Sequence, residues 1–392
     1  MKKKIFVFLG SRANYSSLKS IMTSINRSEI YELILTVGAS ALLDKYGEVV
    51  KLIEMDEFNI NERLYMLIEG EKPETMAKST GLGIIELSSI LKKYSPNYTL
   101  IVGDRFEMLS AAIASAYINI PIIHTMGGEI SGSIDESIRH AITKLSHVHF
   151  PSNKLAEKRI LQMGENKNTV FNVGCPRIDT IKEILKEECK TGELNKYISK
   201  IGVGDIFKLN RKFLMVSQHP VTTEFNQGKE QILQTLEAVK EVSDTLDIPV
   251  IMLWPNADAG SDDVASGIRI FRERGLDRNF HFFKNLPIEY YVRLMDKTSC
   301  LIGNSSSGIR EGSYIGTPVV NIGTRQDGRM RGINVIDTKY EKNEIKKAIY
   351  KQLDHGKYKS EDIYGTGNAG EKIVKILENI QINIQKKFIN RF

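Results

Sequence analysis

Short runs of Ile, Val, Leu and Phe recur along this chain, and each is long enough for one β-strand. In the first half they read "KIFVFLG", "YELILTVG", "YTLIVGD" and "IPIIHT". Stretches with helical periodicity fall among them, such as "GIIELSSILKKY" and "RFEMLSAAIASAYIN". The apolar runs do not alternate with polar residues, which is typical of strands buried on both faces of a parallel sheet. The pattern therefore predicts an α/β fold.

The pattern starts again after a charged stretch, "KEILKEECKTGELNKYISKIG". Strand-length runs follow in "KFLMVSQHP", "IPVIMLWPN", "FHFFKNLP", "SCLIGNSSS" and "TPVVNIGT", with "GKEQILQTLEAVKEVSDTL" and "GIREGSYIG" as helical intervals. Because 392 residues exceed what one hydrophobic core usually supports, we predict two doubly wound, Rossmann-like domains in tandem. The predicted domains are 1–185 and 205–370, and a helical segment over 371–392 is expected to pack back on the first domain.

Composition limits which kinds of partner the protein can bind and in which compartment it is expected. The formal net charge of +6 is modest, and the lysines are not gathered in the basic, aromatic-bearing stripe typical of nucleic-acid binding. We therefore expect an anionic small-molecule ligand and no nucleic-acid partner. The opening "MKKKIFVFLG" has an apolar run of only five residues, Ile5 to Leu9, and no run approaches the length of a membrane span. We expect a cytoplasmic protein with no membrane partner.

The three cysteines, Cys175, Cys189 and Cys300, lie far apart and lack a C-x-x-C partner. This spacing excludes a thiolate zinc site and argues against a disulfide framework. We expect small residues of the core or of loops at these positions.

Polar clusters follow six of the predicted strands. In open parallel sheets, ligands bind beyond the carboxyl ends of the strands, so we expect both halves to contribute to one ligand site in a cleft between the domains. The clusters are "GSRANYSS", "GDRFE", "HTMGGEISGSIDESIRH", "SQHPVTTE", "PNADAG" and "GNSSSGIRE".

The stretch "LIGNSSSGIREG" ends a strand and opens a helix near Gly308. Backbone N–H groups and the hydroxyls of Ser305, Ser306 and Ser307 would there meet the positive end of a helix dipole, which favours a phosphate. The alternative is that the serines only cap the helix, although capping needs one serine. Glu311 could accept from a ribose diol, or it could simply complement the helix dipole.

Two further clusters add charged groups. Arg12 follows the first strand, where its planar fork would suit a diphosphate, and Ser16 could donate beside it. In "GDRFE", Asp104 is either a helix cap or a catalytic carboxylate. Arg105 could hold phosphate and influence the pKa of that carboxylate.

The cluster "HTMGGEISGSIDESIRH" is the densest. Neighbouring carboxylates can acquire different pKa values, which acid and base roles require; a divalent metal site is the competing functional interpretation. An ordinary helix capped by Ser133 or Asp135, with Arg139 and Lys144 in solvent, also fits. The titratable and basic residues of this cluster are His124, Glu129, Asp135, Glu136, Arg139 and His140.

His219 follows "KFLMVSQ" and precedes Pro220, so regular sheet cannot continue there. A lone histidine is more often structural than catalytic. At a strand end among other polar clusters, His219 is a candidate proton donor or phosphate ligand.

Together these motifs resemble one family, the hydrolysing UDP-N-acetylglucosamine 2-epimerases of sialic acid synthesis. The resemblance is carried by "GSRANYSSLKSIM", "GDRFE", "HTMGGEISGSIDESIRHAITKLSH", "QHPVTTE", "PNADAG", "GNSSSGIRE" and "NIGTRQDGRMRG", in the same order and at compatible spacing. It implies the two-domain fold of the glycosyltransferase B type, with the nucleotide held mainly by the second domain. It also implies that UDP-N-acetylglucosamine and water give N-acetylmannosamine and UDP, without a metal or redox cofactor, in a homo-oligomer that is a dimer or a tetramer.

The resemblance also assigns residues. The UDP-binding groups implied by the family are Arg12, Ser16, Arg105, Ser305, Ser306, Glu311 and Arg325. The implied acid and base groups are Asp104, Asp135, Glu136 and His219. The chemistry fits this set, because removal of the C2 proton needs a carboxylate base and expulsion of UDP needs cations and hydroxyls on the diphosphate.

One residue of this chain differs from the family pattern. Relatives often have Glu or His two residues after the His of "H-x-x-G-G-E", whereas this chain has Met126, whose thioether cannot transfer a proton. Either Glu129 serves instead, or the step depends on Asp104 with Asp135 and Glu136.

Three alternatives stay open. A second hydrolysing 2-epimerase activity would use UDP-2,4-diacetamido-6-deoxyglucose (UDP-N,N'-diacetylbacillosamine) on the way to legionaminic acid. A glycosyltransferase could use the same fold to join a sugar to an acceptor. A nucleotide-sugar sensor without turnover is conceivable because of Met126.

Overall fold

The chain folds into two compact units. The computed structural model describes residues 2–44, 49–69, 73–131, 134–188, 191–221, 223–224, 226–255, 260–284 and 286–390. Unit 1 comprises Met1–Ile130, Ile134–Thr180 and Tyr364–Phe392, and unit 2 comprises Ser131–Ser133 and Ile181–Ile363. The chain thus leaves unit 1 near its middle and returns to it after Ile363.

The described part of unit 1 contains a six-stranded parallel sheet of order β3-β2-β1-β4-β5-β6. Its strands are β1 (Lys3–Leu9), β2 (Tyr31–Gly38), β3 (Glu62–Leu64), β4 (Tyr98–Val102), β5 (Ile122–Thr125) and β6 (Val148–Phe150). Every residue from Ile5 to Leu9 is at most 1% exposed, as expected for a strand covered on both faces. The parallel sheet predicted for the first half is confirmed, and β3 and β6 are short strands that the apolar runs did not indicate.

Helices surround this sheet. They are α1 (Arg12–Arg27), α2 (Val49–Met55), α3 (Pro73–Tyr94), α4 (Phe106–Tyr117), α5 (Asp135–Leu145) and α6 (Lys154–Gln162). The next helix, α7 (Pro176–Lys186), begins in unit 1 and continues into unit 2 after Thr180. Ser11 caps α1 by accepting from the N–H of Asn14 at 3.3 Å, and Asn153 caps α6 by accepting from Ala156 at 2.9 Å. Such caps satisfy backbone donors that have no partner inside a helix.

The described part of unit 2 repeats the design with seven strands, in the order β13-β12-β11-β8-β9-β10-β7. The strands are β7 (Val203–Gly204), β8 (Leu214–Ser217), β9 (Val250–Leu253), β10 (Phe280–Phe283), β11 (Cys300–Gly303), β12 (Val319–Ile322) and β13 (Val335–Thr338). The helices are α8 (Thr191–Ile198), α9 (Gly228–Leu246), α10 (Ser261–Glu273), α11 (Ile288–Lys297), α12 (Ser306–Ile315) and α13 (Lys342–His355). β7 pairs antiparallel with β10, and the other neighbours are parallel.

The C-terminal helix, α14 (Ala369–Asn379), belongs to unit 1 and packs on α1. The Asp179 carboxylate accepts from the N–H groups of Ala369 and Gly370 at 2.9 and 2.7 Å, so the first donors of α14 have an anionic partner. A Cβ at Gly370 would lie 2.7 Å from the carbonyl oxygen of Ser20, which explains a glycine at this crossing. The predicted return of a C-terminal helix to the first half is confirmed.

The helix ends at Asn379, although its pattern predicted helix to the last residue. Residues 380–390, the tail segment, contain no helix or strand and bind unit 1 instead. Lys386 Nζ donates to the carbonyls of Thr143 and Lys144 at 3.2 and 2.7 Å, and it pairs with Glu165 at 2.7 Å. These contacts with the last turn of α5 take the place of further helical hydrogen bonds.

Cys175 and Cys300 are buried free thiols, and Cys189 lies outside the described residues. Over the ranges that the structure describes, no helix is both long enough and apolar enough to cross a membrane.

Candidate active site

Unit 1 gathers polar residues at the carboxyl ends of three strands. β1, β4 and β5 are neighbours in the sheet, and the N–H of Gly103 donates to the carbonyl of Thr125 at 3.0 Å. Arg12 therefore follows β1, Asp104 follows β4 and Met126 follows β5 along one edge of the sheet.

Asp104 is bound by Arg139. The guanidinium Nε donates to Asp104 Oδ2 at 2.9 Å, and Nη2 contacts the same oxygen. Arg139 is 1% exposed and is the bulkiest of the fully buried side chains in the described residues. The prediction that Arg139 lies in solvent is therefore wrong. Asp104 is not the N-cap residue of α4, because that position is Arg105.

Glu129 is tied to the same arginine through its backbone. Arg139 Nη1 donates to the Glu129 carbonyl at 2.5 Å. The Glu129 side chain is 2% exposed, and its Oε1 accepts from the Ser152 hydroxyl at 2.6 Å. One guanidinium thus joins the partly exposed Asp104 carboxylate to the loop that carries the buried Glu129 carboxyl group.

Asp135 and Glu136 are the first two residues of α5 and are partly exposed. The N-cap position is Ile134, which makes no side-chain cap, so a cap by Asp135 is wrong; Ser133 lies outside the described residues. Glu136 Oε1 lies 3.8 Å from His140 Nε2, one turn along the helix. Burial and the neighbouring Arg139 lower the pKa of His140, which favours a neutral imidazole near neutral pH.

His124 has a structural environment. Its Nε2 donates to the carbonyl of Gly103 at 2.8 Å, and its Nδ1 lies 3.3 Å from the Thr143 hydroxyl. Burial lowers the pKa of His124 to about 3, so the ring stays neutral. This histidine supports the ends of β4 and β5.

Met126 follows β5 in a left-handed backbone conformation, with φ of 64°. Its N–H donates to the carbonyl of Phe150 at 2.9 Å, and the residue is 6% exposed. A bulky residue at positive φ is uncommon, and such strain often occurs at functional sites.

Arg12 and Ser16 lie in the first two turns of α1. Arg12 is its first residue, and no acidic residue occupies the first turn. The Ser16 hydroxyl donates to the Arg12 carbonyl at 3.0 Å. The positive end of this helix and the Arg12 guanidinium are both suited to an anion.

Arg105 is paired with Glu107. Arg105 Nε donates to Glu107 Oε1 at 2.9 Å, and the Glu107 side chain is buried. A Cβ at Gly10 would lie 2.3 Å from Glu107 Cγ, so the glycine after β1 makes room for this carboxylate. The sequence pattern included Glu107 in "GDRFE" without a role, and its place two residues after Arg105 was the available signal.

In unit 2, Asn304 joins the ends of β8 and β11. Its Nδ2 donates to the His219 carbonyl at 2.8 Å, and its Oδ1 accepts from the His219 N–H at 2.7 Å. Gly303 just before it has φ of 130°, and a Cβ there would lie 2.2 Å from the Ser217 carbonyl oxygen. Sequence reasoning gave Asn304 no role; its place between Gly303 and the serines was the signal.

The serines begin α12 and form a hydroxyl cluster. Ser305 is the N-cap and accepts from the N–H of Ser307 at 3.4 Å, and the two hydroxyl oxygens are 2.9 Å apart. Tyr291 Oη also contacts the Ser307 hydroxyl. The helix begins at Ser306, two residues before the predicted start near Gly308, so capping by Ser305 is confirmed as one role of the cluster.

Glu311 and Arg325 complete the unit 2 set. Glu311 is buried on α12. Arg325 Nη1 donates to the Asn304 carbonyl at 3.3 Å, and Gln326 Nε2 donates to the same oxygen at 2.7 Å. The backbone of Asn304 therefore holds a loop that carries one of the implied UDP ligands.

The predicted residues fall into two sets, one in each unit. Unit 1 has Arg12, Ser16, Asp104, Arg105, Glu129, Asp135 and Glu136, and unit 2 has His219, Ser305, Ser306, Glu311 and Arg325. Residues 256–259 of "PNADAG" and Thr222 of "QHPVTTE" lie outside the described residues. Among the residues that the structure describes, no group of three or more His, Cys, Asp or Glu side chains is arranged to hold a metal ion.

Comparison with known proteins identifies the family. A family model described as UDP-N-acetylglucosamine 2-epimerase matches residues 23–378. The chain is 31% identical to the UDP-N,N'-diacetylbacillosamine 2-epimerase (hydrolyzing) of Legionella pneumophila over 98% of both chains. It is 28% identical to a UDP-N-acetylglucosamine 2-epimerase of Neisseria meningitidis over 99% of both chains.

A solved structure agrees with the predicted fold. The crystal structure of the UDP-GlcNAc 2-epimerase from Neisseria meningitidis bound to UDP-GlcNAc superposes with a TM-score of 0.81, at 17% identity over 96% of this chain and 100% of that chain. The fold predicted from the sequence, two parallel-sheet domains of the glycosyltransferase B type, is confirmed. From the family match and the identity over nearly the full length, we conclude that the chain belongs to the UDP-N-acetylglucosamine 2-epimerase family.

Proposed function

We propose that this protein is a hydrolysing 2-epimerase that converts UDP-N-acetylglucosamine and water to N-acetylmannosamine and UDP. The observation that carries the proposal is the pair formed by the partly exposed Asp104 carboxylate and the buried Arg139 guanidinium, which also binds the loop of Glu129. A carboxylate held by a cation at the end of a strand can remove a carbon-bound proton without first having to lose its own.

In the proposed first step, Asp104 takes the proton from C2 of the sugar, and the bond between C1 and the diphosphate oxygen breaks. The electron pair of the C2–H bond forms the C1–C2 double bond, and UDP leaves with the electrons of the C1–O bond. Negative charge develops on the diphosphate, which guanidinium and hydroxyl groups can stabilise. The proposed UDP ligands are Arg12, Ser16, Arg105, Ser305, Ser306 and Arg325, with Glu311 on the ribose.

In the proposed second step, water adds at C1 and a proton returns to C2 on the opposite face. Asp135 and Glu136 are candidates for the second acid and base, because they are partly exposed at the start of α5 and can exchange protons with water. His219 is a candidate proton donor, and its backbone is held by Asn304. Glu129 is buried with the Ser152 hydroxyl, which suits an acid that works away from solvent.

A second substrate has its own support. The relative from Legionella pneumophila is named for UDP-N,N'-diacetylbacillosamine, which carries an additional acetamido group at C4 and a methyl group at C6. The same two steps would apply, since both substrates have an acetamido group at C2 and UDP at C1.

The experiment is turnover of each UDP-sugar in ²H₂O and in H₂¹⁸O. The proposal expects UDP, a free manno-configured sugar, deuterium at C2 and ¹⁸O at C1. Release of UDP without a 2-epimerised sugar would contradict it. The ratio of kcat/KM for the two UDP-sugars identifies the preferred substrate.

A further inference from the structure

We propose that Arg139 is the positioning residue that holds Asp104 ionised and fixes it relative to the Glu129 loop. This role rests on the proposed function, in which Asp104 is the C2 base. Arg139 lies one turn after Asp135 on α5, so a residue of the helix that carries two other candidate acids orients the base.

The contacts of Arg139 use the shape of its guanidinium. Nε and Nη2 bind one oxygen of Asp104, and Nη1 binds the Glu129 carbonyl at 2.5 Å. A lysine has one compact ammonium and cannot span both partners in the same fixed geometry. The guanidinium is therefore a bridge between the ends of β4 and β5, as well as a charge.

Other charged and titratable groups near Asp104 also have partners of their own. Arg105 is paired with Glu107. His124 is neutral because burial lowers its pKa to about 3. The Glu129 carboxyl group accepts from the Ser152 hydroxyl.

His140 and Arg159 also lie near the Arg139 bridge. Burial and Arg139 lower the pKa of His140, and Arg159 Nη1 lies 3.4 Å from the Gly128 carbonyl. Arg139 is thus the cation that the geometry assigns to Asp104.

The test compares Arg139→Met, Arg139→Lys and Arg105→Met by kcat and KM across pH. For Arg139→Met we expect kcat to fall about a hundredfold from misplacement of the base, with little change in UDP affinity. The acid limb of kcat/KM should move up by roughly one to three pH units, because a carboxylate that loses a neighbouring cation is protonated at higher pH. Arg105→Met should raise KM and leave the acid limb in place.

Arg139→Lys separates charge from geometry. It keeps the cation, so the acid limb should stay near its original pH, while kcat remains low because the bridge to Glu129 is lost. Arg63→Met removes an exposed arginine paired with Glu54 in the same unit and should change neither quantity. Circular dichroism checks that each variant folds, and Arg139→Lys carries the test if Arg139→Met does not.

The proposal would be overturned if the acid limb of kcat/KM in Arg139→Met stayed at its original pH. It would also be overturned if this variant lost UDP affinity by the same factor as kcat. The proposed function fails separately, if the unmodified protein turns over neither UDP-sugar. In that case, NMR titration of the Asp104 carboxyl carbon in the unmodified protein and in Arg139→Lys and Arg139→Gln still measures the effect of the cation. Equal titration midpoints in the unmodified protein and Arg139→Gln would overturn the inference.

Discussion

The two units share one design and differ in the groups that they place at their strand ends. In unit 1 the groups are ionic: Asp104 with Arg139, and Glu107 with Arg105. In unit 2, neutral groups accompany the charged Glu311 and Arg325: the Asn304 amide is bonded to the His219 backbone, and serine hydroxyls lie at the start of α12.

This difference separates two kinds of chemistry. Proton transfer needs groups that can gain or lose a proton, and carboxyl groups with different partners can divide acid and base roles. Holding an anion needs donors that are fixed in place and do not change charge. Under the proposed function, unit 1 therefore supplies the carboxylates for proton transfer, and unit 2 supplies the serine hydroxyls of α12 for the leaving group.

The largest expected effect comes from Asp104→Asn. The amide is similar in size and cannot accept the C2 proton, so we expect turnover to fall by about 10²–10⁴-fold, the usual range for a general base. UDP affinity, measured by calorimetry, should be nearly unchanged. Weaker UDP binding with turnover preserved would show that the roles of the two units are reversed.

Arg12→Ala tests an exception to this division, because Arg12 is one of the unit 1 residues that are proposed to bind UDP. Loss of a hydrogen bond to a charged group costs about 1.5–3 kcal/mol, so the Kd for UDP should rise roughly 10- to 100-fold. The matched control is Arg27→Ala, an exposed arginine at the other end of α1. Equal effects of the two variants would mean that Arg12 acts only through net charge.

Asn304→Ala tests the neutral clamp of unit 2. It would leave the N–H and carbonyl of His219 without the partners that Asn304 supplies, at a cost of about 1–3 kcal/mol for a buried group. We expect a lower Tm, together with losses in both turnover and UDP affinity, because Asn304 also holds Arg325. Asn343→Ala, at an exposed position on α13, is the control. A loss of stability with UDP affinity intact would limit Asn304 to a structural role.

Much of the fold could be predicted from the sequence because the sheets are covered on both faces. Continuous apolar runs predict β1, β4 and β8, because both faces of these strands are buried. The short strands β3 and β6 have three residues each. Three residues are too few to show a recognisable pattern of apolar residues. The tail segment was predicted as helix because local spacing contains no information on Lys386 binding the end of α5.

The sequence could predict which residues belong to the candidate site, but not which of their side chains bind each other. Asp104 and Glu129 stand in dense polar clusters, which sequence can show. The cation for Asp104 was sought in its neighbour Arg105, whereas the structure supplies Arg139, 35 residues away. A helical pattern gives the spacing of Arg139 along α5 and cannot specify which strand end that side chain meets.

Each unit also contains a carboxyl group whose pKa is lowered to about 2, in different surroundings. Burial opposes ionisation of Glu165 in unit 1, but hydrogen bonds from His149, Lys144 and Lys386 outweigh it. In unit 2, hydrogen bonds from Lys342 and Lys346 lower the pKa of Glu241. The first carboxylate is buried and the second is partly exposed.

Glu165→Gln and Glu241→Gln therefore test whether the buried carboxylate of unit 1 contributes more to stability than the more exposed carboxylate of unit 2. A carboxyl group with a lowered pKa stabilises the fold above its ordinary pKa, and this stabilisation is lost as pH falls from about 4.5 to about 2. Each variant should be less stable than the unmodified protein at neutral pH, and the difference should shrink across that window. Measured by denaturant titration, the difference should be larger for Glu165→Gln and should persist in concentrated salt.

For Glu241→Gln the difference in stability should be small and should fall with salt, because exposed ion pairs are screened. Equal, salt-sensitive differences for both variants would mean that the Glu165 cluster behaves as a surface ion pair despite its burial.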